Sequence, residues 1–230
     1  VKTRLRDYVK PGVTAVELDH IAEKEIRLQG AEPSFKGYMG YPSTICVSFN
    51  EQIVHGIPSD RVIKEGDIVS VDVGAVVDGF HGDSAFTHGV GVISDEAQSL
   101  IDVTRDSLQL GIAQAKLGAR VGDISAAVQG YAETHGFGVV RQYVGHGIGR
   151  RLHEDPQVPN YGVSGRGPLL REGMALAVEP MLNLGTWETR QLDDGWTVVT
   201  ADGRLSAHFE DTIIISSDGP EVLTSLQVGG

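Results

Sequence analysis

The chain has 230 residues, of which 40% are hydrophobic, and this length suits one domain with a substantial core. Its formal net charge of -12 disfavours nucleic acid and anionic lipid as partners, and its single cysteine excludes an internal disulfide. No apolar stretch approaches the roughly 20 residues of a membrane span, so we expect a protein of the reducing cytoplasm.

The predicted elements are short segments separated by frequent glycines, which number 30. Helical spacing of apolar residues predicts three main helices, at residues 16–28, 97–117 and 124–134. Apolar and alternating runs predict strands at residues 43–49, 68–77, 80–92, 175–180, 196–200 and 208–216. Since turns join most of these strands, we expect a mixed protein with antiparallel pairing.

A sparse internal repeat relates the two halves of the chain. Five residues align at a constant offset of 106 with residues of the same or similar type: Lys10 with Lys116, Gly12 with Gly118, Glu17 with Asp123, Leu18 with Ile124, and Gly30 with Gly136. After one inserted residue, Asp72 and Glu179 end equivalent strands. Shared turn chemistry alone could produce this match. As a duplication, it predicts one catalytic domain with halves at about 1–100 and 101–230 that both deliver acids to a central cleft.

A β-hairpin is predicted to place two acids on one face. Asp78-Gly79 is a strong two-residue turn signal between the strands at 68–77 and 80–92. Counting from this turn, Gly74 lies opposite Asp83, and side-chain alternation puts Asp72 on the face of Asp83 at the diagonal position. A solvated polar face is the structural alternative, which the apolar neighbours of Asp72 disfavour.

Other polar residues lie beside apolar segments. His146 stands between glycines that let the backbone approach a bound group closely, although a histidine in a Gly-rich turn is more often structural. His153 follows in the same loop, Glu179 ends an apolar strand, and Glu210 begins another. An ionised carboxylate in an apolar setting is costly unless it is paired, protonated or bound to metal.

Together these positions give an oxygen-rich set of candidate metal ligands: Asp72, Asp83, His146, Glu179 and Glu210. Two divalent cations would balance the four carboxylates, since few basic residues lie near them in sequence. Mn, Fe(II) or Co ions suit such ligands, and Zn remains compatible. Two ions about 3.5 to 4 Å apart activate a shared water and polarise a carbonyl, so the set predicts hydrolysis.

Seven motifs span nearly the whole chain: Gly-Tyr-Met-Gly-Tyr-Pro at 37–42, His-Gly-Ile-Pro at 55–58, Asp-Val-Gly at 72–74, His-Gly-Asp at 81–83, Gly-His-Gly-Ile-Gly at 145–149, Glu-Pro-Met at 179–181 and Phe-Glu-Asp-Thr at 209–212. With them the sequence resembles the type I methionine aminopeptidases. The resemblance implies an α+β pita-bread fold, with pseudo-twofold duplicated halves and a central curved antiparallel sheet covered by helices. It also implies metal-dependent removal of an N-terminal methionine that precedes a small residue.

The resemblance assigns a role to each candidate residue. The four acids and one histidine above become ligands of two metal ions, with Asp72 and Glu210 bridging both. His55 becomes a hydrogen-bonding partner of the substrate, His153 a stabiliser of the tetrahedral intermediate, and Glu179 also a carrier of the water proton. The methionine pocket is assigned to Tyr38, Tyr41, Cys46 and Trp196, edged by His55 and His153. Leu152 is included at a position where some family members carry an aromatic residue, which puts the shape of the pocket in doubt. Without the resemblance, these pocket residues would be read as ordinary core.

The implied substrate is the N-terminus of a peptide or nascent protein, with the ribosome as a candidate partner. The same resemblance implies a cytoplasmic monomer.

Three alternatives stay open. Prolidase and aminopeptidase P share the metal ligands but carry an additional N-terminal domain, which 230 residues do not accommodate. A non-catalytic module of the same fold would bind peptides without metals, yet it should lack ligands that are all present here. A mononuclear enzyme would leave its weaker metal site empty.

Overall fold

The computed structural model describes residues 1–225, which contain four α-helices and a short 3-10 helix at Tyr38–Gly40. The helices are α1 (Lys2–Tyr8), α2 (Ala15–Leu28), α3 (Asp95–Gln114) and α4 (Val121–Thr134). Helices α2, α3 and α4 confirm the three predicted ones. None of the four is long and apolar enough to cross a bilayer.

Helix α1, a short additional helix, was missed. Its seven residues bury Leu5 alone, which leaves no periodic apolar pattern to detect. Tertiary contacts hold it instead. Leu5 packs in the core beneath α2, and Lys2 Nζ lies 2.8 Å from Asp211 Oδ1. A short helix that depends on such distant contacts gives little signal in its own sequence.

Fifteen strands are present in residues 1–225. They are β1 (Glu32–Pro33), β2 (Ile45–Phe49), β3 (Gln52–Val54), β4 (Ile68–Val77), β5 (Phe80–Gly89), β6 (Gly138–Val139), β7 (Gly145–Gly147), β8 (Glu154–Val158), β9 (Ala175–Val178), β10 (Met181–Asn183), β11 (Thr189–Gln191), β12 (Val198–Thr200), β13 (Ser206–His208), β14 (Glu210–Ser216) and β15 (Gly219–Val222). The main sheet has the order β1-β4-β5-β14-β9-β7-β8, with β2 on β4 and β15 on β14. All its pairings are antiparallel, as predicted.

The predicted strand at 208–216 is wrong as a single element, because Phe209 interrupts it. β13 pairs with β10 in a second, three-stranded sheet, whereas β14 continues in the main sheet. The Phe209 side chain packs against three separate core clusters, so the chain turns aside at this residue to fill the space between them.

A matching interruption lies across the sheet. The strand predicted at 175–180 ends at Val178, and the chain resumes pairing at Met181. Val178 pairs with Asp211 and Met181 pairs with His208, so the two breaks face each other. Glu179 and Glu210 are therefore brought together where two strands change sheets.

The duplicated halves expected from the resemblance are present in the fold. Helices α2 and α4 start and end 106 residues apart. Equivalent backbone hydrogen bonds recur as well: Gly12 N to Ile63 O is matched by Gly118 N to Leu170 O. The α+β fold with its curved antiparallel sheet is confirmed, whereas the boundary of the halves near residue 100 stays a prediction.

Candidate active site

Two carboxylates of the site come from the β4–β5 hairpin, in the predicted register. Gly74 pairs with Asp83 and Asp72 pairs with Ala85, which sets the two acids diagonally on one face. Asp83 is held through its backbone by the Thr212 hydroxyl, which accepts from Asp83 N at 2.9 Å and donates to Asp83 O at 2.8 Å. This side chain takes the place of ladder hydrogen bonds, since the β5–β14 pairing stops at Asp211.

His146 presents one ring nitrogen to these acids. Its Nδ1 donates to Gly147 O at 2.9 Å, which fixes the tautomer and leaves the Nε2 lone pair free. Nε2 lies 3.5 Å from Glu179 Oε1. The flanking Gly145 is required, because a Cβ there would overlap the carbonyl oxygen of Ala177 on β9.

The ligand atoms of Asp83, His146 and Glu210 all lie within 4.8 Å of one another. Asp72 and Glu179 line the same cleft beside them. The structure therefore brings together all five side chains that the sequence proposed as metal ligands.

The site concentrates negative charge without basic partners. Burial, followed by the neighbouring carboxylates, raises the pKa of Asp72, Glu179 and Glu210, and burial raises that of Asp83. Within residues 1–225, no Lys or Arg forms an ion pair with any of these four acids. Four buried acids in contact are unfavourable unless protons or cations neutralise them.

Unpaired oxygens show that these residues fit divalent cations. Asp72 Oδ1, Asp83 Oδ1 and Glu210 Oε1 are buried and have no hydrogen-bond partner in the described part of the chain. Carboxylate oxygens with one imidazole nitrogen are the donors that Mn, Fe(II), Co and Zn accept.

Two further histidines line this cleft. His153 Nδ1 lies 2.8 Å from the Tyr38 hydroxyl, and its ring centroid is 4.2 Å from that of His146. His55 packs edge-on against Tyr143, with ring centroids 5.5 Å apart. Burial, followed by the charge of His153, lowers the pKa of His55 to about 4, and burial also lowers the pKa of His153. Both rings are therefore neutral at pH 7.

One wall of the cleft is apolar. Tyr41 and Trp196 pack edge to face with centroids 5.0 Å apart, and Cys46 and Leu152 are buried beside them. The Tyr41 hydroxyl lies 3.1 Å from the carbonyl oxygens of both Ile45 and Gly56, which leaves its ring to line the cavity. The cavity between this wall and the acids has a volume of ≈180 Å³.

Every residue that the sequence assigned to the site lines this one cavity, and two residues were missed, Phe35 and Met39. Met39 lies inside the quoted motif at 37–42, so the motif could have supplied it. It is 82% exposed and has a φ of 48°. Phe35 belongs to no motif, and nothing local distinguishes it from a core phenylalanine.

Gly74 allows Phe35 to approach the cleft, which gives a testable prediction. A Cβ at Gly74 would lie 2.6 Å from Phe35 Cε1 and 2.9 Å from Ser34 Cβ. We expect Gly74→Ala to displace the Phe35 loop and to lower the free energy of unfolding by about 1–3 kcal/mol. Urea denaturation measures this change.

Gly130→Ala is the matched control for this substitution. Gly130 lies inside α4, and a methyl group added there would have nothing within 4 Å of it, so alanine should be neutral or stabilise by up to about 1 kcal/mol. Equal effects of the two substitutions would contradict the role given to Gly74.

The profile of metallopeptidase family M24 matches residues 1–217. The methionine aminopeptidase of Clostridium perfringens is 54% identical over 223 residues, which are 97% of this chain and 90% of that protein. Methionine aminopeptidase 1 of Bacillus subtilis is 54% identical over 220 residues, covering 96% of this chain and 89% of that protein. The crystal structure of methionine aminopeptidase from Thermotoga maritima superposes with a TM-score of 0.96 at 48% identity, covering 98% of this chain and 91% of that one.

Proposed function

Because the chain belongs to metallopeptidase family M24, we propose that it is a metal-dependent aminopeptidase that removes N-terminal methionine from peptides and nascent proteins. The observation that carries this proposal is the cluster of buried, unpaired acids beside His146, facing an apolar cavity with room for one side chain. The acids suit metal-assisted hydrolysis and the cavity suits a thioether side chain.

Five residues would hold two divalent ions: Asp72, Asp83, His146, Glu179 and Glu210. When bound, the ions supply Lewis acidity, which polarises the scissile carbonyl and lowers the pKa of the attacking water. Mn, Fe(II), Co and Zn all suit the donor set.

The remaining steps fall to side chains of this protein. Glu179 accepts the proton of the attacking water on a carboxylate oxygen and returns it to the amine that leaves. His153 donates from Nε2 to the oxyanion in the tautomer in which its Nδ1 accepts from the Tyr38 hydroxyl. His55 hydrogen-bonds the backbone of the substrate at the cleft.

Substrate selection follows from the apolar wall. Tyr38, Tyr41, Cys46, Leu152 and Trp196 form the pocket for the methionine side chain, with Phe35 and Met39 beside them. Sulfur packs favourably against aromatic edges, and the edge-to-face pair of Tyr41 and Trp196 presents such edges.

The cellular setting belongs to the same proposal. The protein acts as a cytoplasmic monomer, and ribosome-associated chains are its natural substrates. The net charge of -12 supports a peptide rather than a nucleic-acid substrate.

Metal add-back tests this function. Protein stripped of metal is supplied separately with Mn, Co, Fe(II), Zn or Mg, and free methionine released from Met-Ala-Ser is measured. We expect no release without metal and recovery with at least one of the first four ions. N-acetylated Met-Ala-Ser is the control substrate, which should resist cleavage because its amine is blocked.

Two results would contradict the proposal. If no ion restores methionine release in protein whose circular dichroism shows a retained fold, the result would favour a peptide-binding module. Faster cleavage of Xaa-Pro dipeptides than of Met-Ala-Ser would favour a prolidase-like activity.

The number of bound ions is a separate outcome of the same experiment. Recovery of activity that saturates with one bound ion per chain would make the enzyme mononuclear while leaving its reaction intact.

A further inference from the structure

His208, which no motif includes, lies against the acids of the site. It is the last residue of β13, and its side chain is 2% exposed. Its Nε2 lies 4.0 Å from Glu179 Oε2 and 4.0 Å from Glu210 Oε2. Among the described residues this nitrogen has no hydrogen-bond partner.

The backbone of His208 is fixed. Its N–H donates to the Thr87 hydroxyl at 2.9 Å, and the same hydroxyl donates to its carbonyl oxygen at 2.9 Å. Thr87 is held in turn by Ser70, with 2.8 Å between their hydroxyl oxygens. The ring is therefore delivered to the acids from a position that backbone hydrogen bonds hold.

The positions of the two Glu179 carboxylate oxygens assign a role to the His208 ring. Glu179 directs Oε1 towards His146 Nε2, at 3.5 Å, and Oε2 towards His208 Nε2. Carboxylates that bind metal are ionised and only accept hydrogen bonds, so a bond to them requires the proton on Nε2 of His208. A buried nitrogen without a partner is unfavourable, which favours a hydrogen bond to one of these oxygens.

We propose that His208 is a positioning residue of this site: its Nε2–H donates to Glu179 Oε2 and Glu210 Oε2 and holds both carboxylates ready for divalent cations. This inference rests on the proposed function, because it assumes that Glu179 and Glu210 bind metal. Hydrogen bonds to metal ligands from such outer partners fix ligand orientation, and their loss weakens metal affinity by about 10- to 100-fold.

Two amide substitutions that differ only in reach test the proposal. In His208→Gln the amide nitrogen can occupy the place of Nε2, whereas in His208→Asn it stops one bond short. Metal-free proteins are titrated with Co(II) by calorimetry, and the visible absorption of the bound ion is recorded. We expect His208→Gln to bind within about threefold of the unchanged protein, and His208→Asn to bind about 10- to 100-fold more weakly with an altered spectrum.

The outcomes distinguish a failure of this inference from a failure of the proposed function on which it rests. Asp83→Asn is included because it removes a proposed ligand. If Asp83→Asn binds Co(II) as tightly as the unchanged protein, the metal site itself is wrong. If Asp83→Asn loses Co(II) while both His208 variants bind normally, only the role of His208 is wrong. Equal weakening in both His208 variants would also overturn it, since it would point to direct ligation or to packing.

A second measurement uses the unchanged protein and so does not depend on the folding of a variant. Protein labelled with 15N-histidine and loaded with Zn is studied by NMR, in which the nitrogen shifts report the tautomer and any metal bond. We expect the His208 signal to show a protonated Nε2 without a metal bond. An Nε2 that carries no proton, or one that is bound to metal, would overturn the proposal.

Discussion

Asp83→Asn is expected to reduce metal-dependent release of methionine from Met-Ala-Ser more than about 100-fold while the fold is retained. Loss of outer partners of metal ligands alone costs about 10- to 100-fold, and this change removes a ligand itself. The Asp83 backbone is held by Thr212, not by its own carboxylate, so the strand should keep its place. Steady-state kinetics with saturating metal measure the effect.

The same substitution should stabilise the metal-free protein. Asp83 is buried beside other acids that have no basic partner, and a neutral amide removes one of these like charges. We expect the free energy of unfolding without metal to rise by about 1–3 kcal/mol. Asp102→Asn on α3, whose carboxylate is 40% exposed and pairs with Arg105, is the control: it should leave activity unchanged and lower the free energy of unfolding by less than about 1 kcal/mol. Near-normal activity of Asp83→Asn would remove Asp83 from the proposed ligands.

The second large effect concerns the residue after the methionine. We expect Met-Ala-Ser to be cleaved at least about 100-fold faster, in kcat/KM, than Met-Lys-Ser or Met-Glu-Ser. The cavity volume of ≈180 Å³ is below the roughly 300–1,000 Å³ of sites that enclose larger ligands, so one long side chain fills it. Each methylene that fits poorly costs about 1–3 kcal/mol, and a few of them together give the expected 100-fold difference in kcat/KM, at about 1.4 kcal/mol for each factor of ten.

Lys and Glu are chosen because both side chains are much longer than that of alanine and they differ in charge. Slow cleavage of both peptides would assign the selection to size. If Met-Lys-Ser alone were cleaved well, the acidic site would be attracting the second side chain electrostatically. Equal rates for all three peptides would contradict a narrow cleft.

Rules that relate residues a few positions apart were sufficient to predict the site wherever it depends on one hairpin or one turn. The Asp78-Gly79 turn fixed the register of β4 and β5, and the diagonal of Asp72 and Asp83 followed from side-chain alternation. The helices α2 and α4 were visible because each has a buried apolar stripe. These features are encoded by neighbours a few residues apart.

Non-local packing explains what the sequence did not reveal. Phe209 ends β13 because it fills space between three core clusters, and no residue near it signals a break. The same break directs His208 and Glu210 to one place, so His208 was read as the start of an ordinary strand. Phe35 reaches the cleft only because Gly74, on another strand, lacks a side chain. Each of these depends on a partner distant in the chain.

A chain of hydrogen bonds joins helix α1 and the segment after β15 to the cleft. Lys2 pairs with Asp211, the Thr224 hydroxyl donates to Asp211 at 2.8 Å and accepts from Thr212 N at 3.0 Å, and Thr212 holds Asp83. During synthesis, helix α1 emerges long before its anchor on β14. Contacts across more than 200 residues close slowly, because loop-closure entropy is lost before they form. A protein proposed to act on nascent chains thus places the anchors of one active-site strand among the first and the last residues of the described chain to be synthesised.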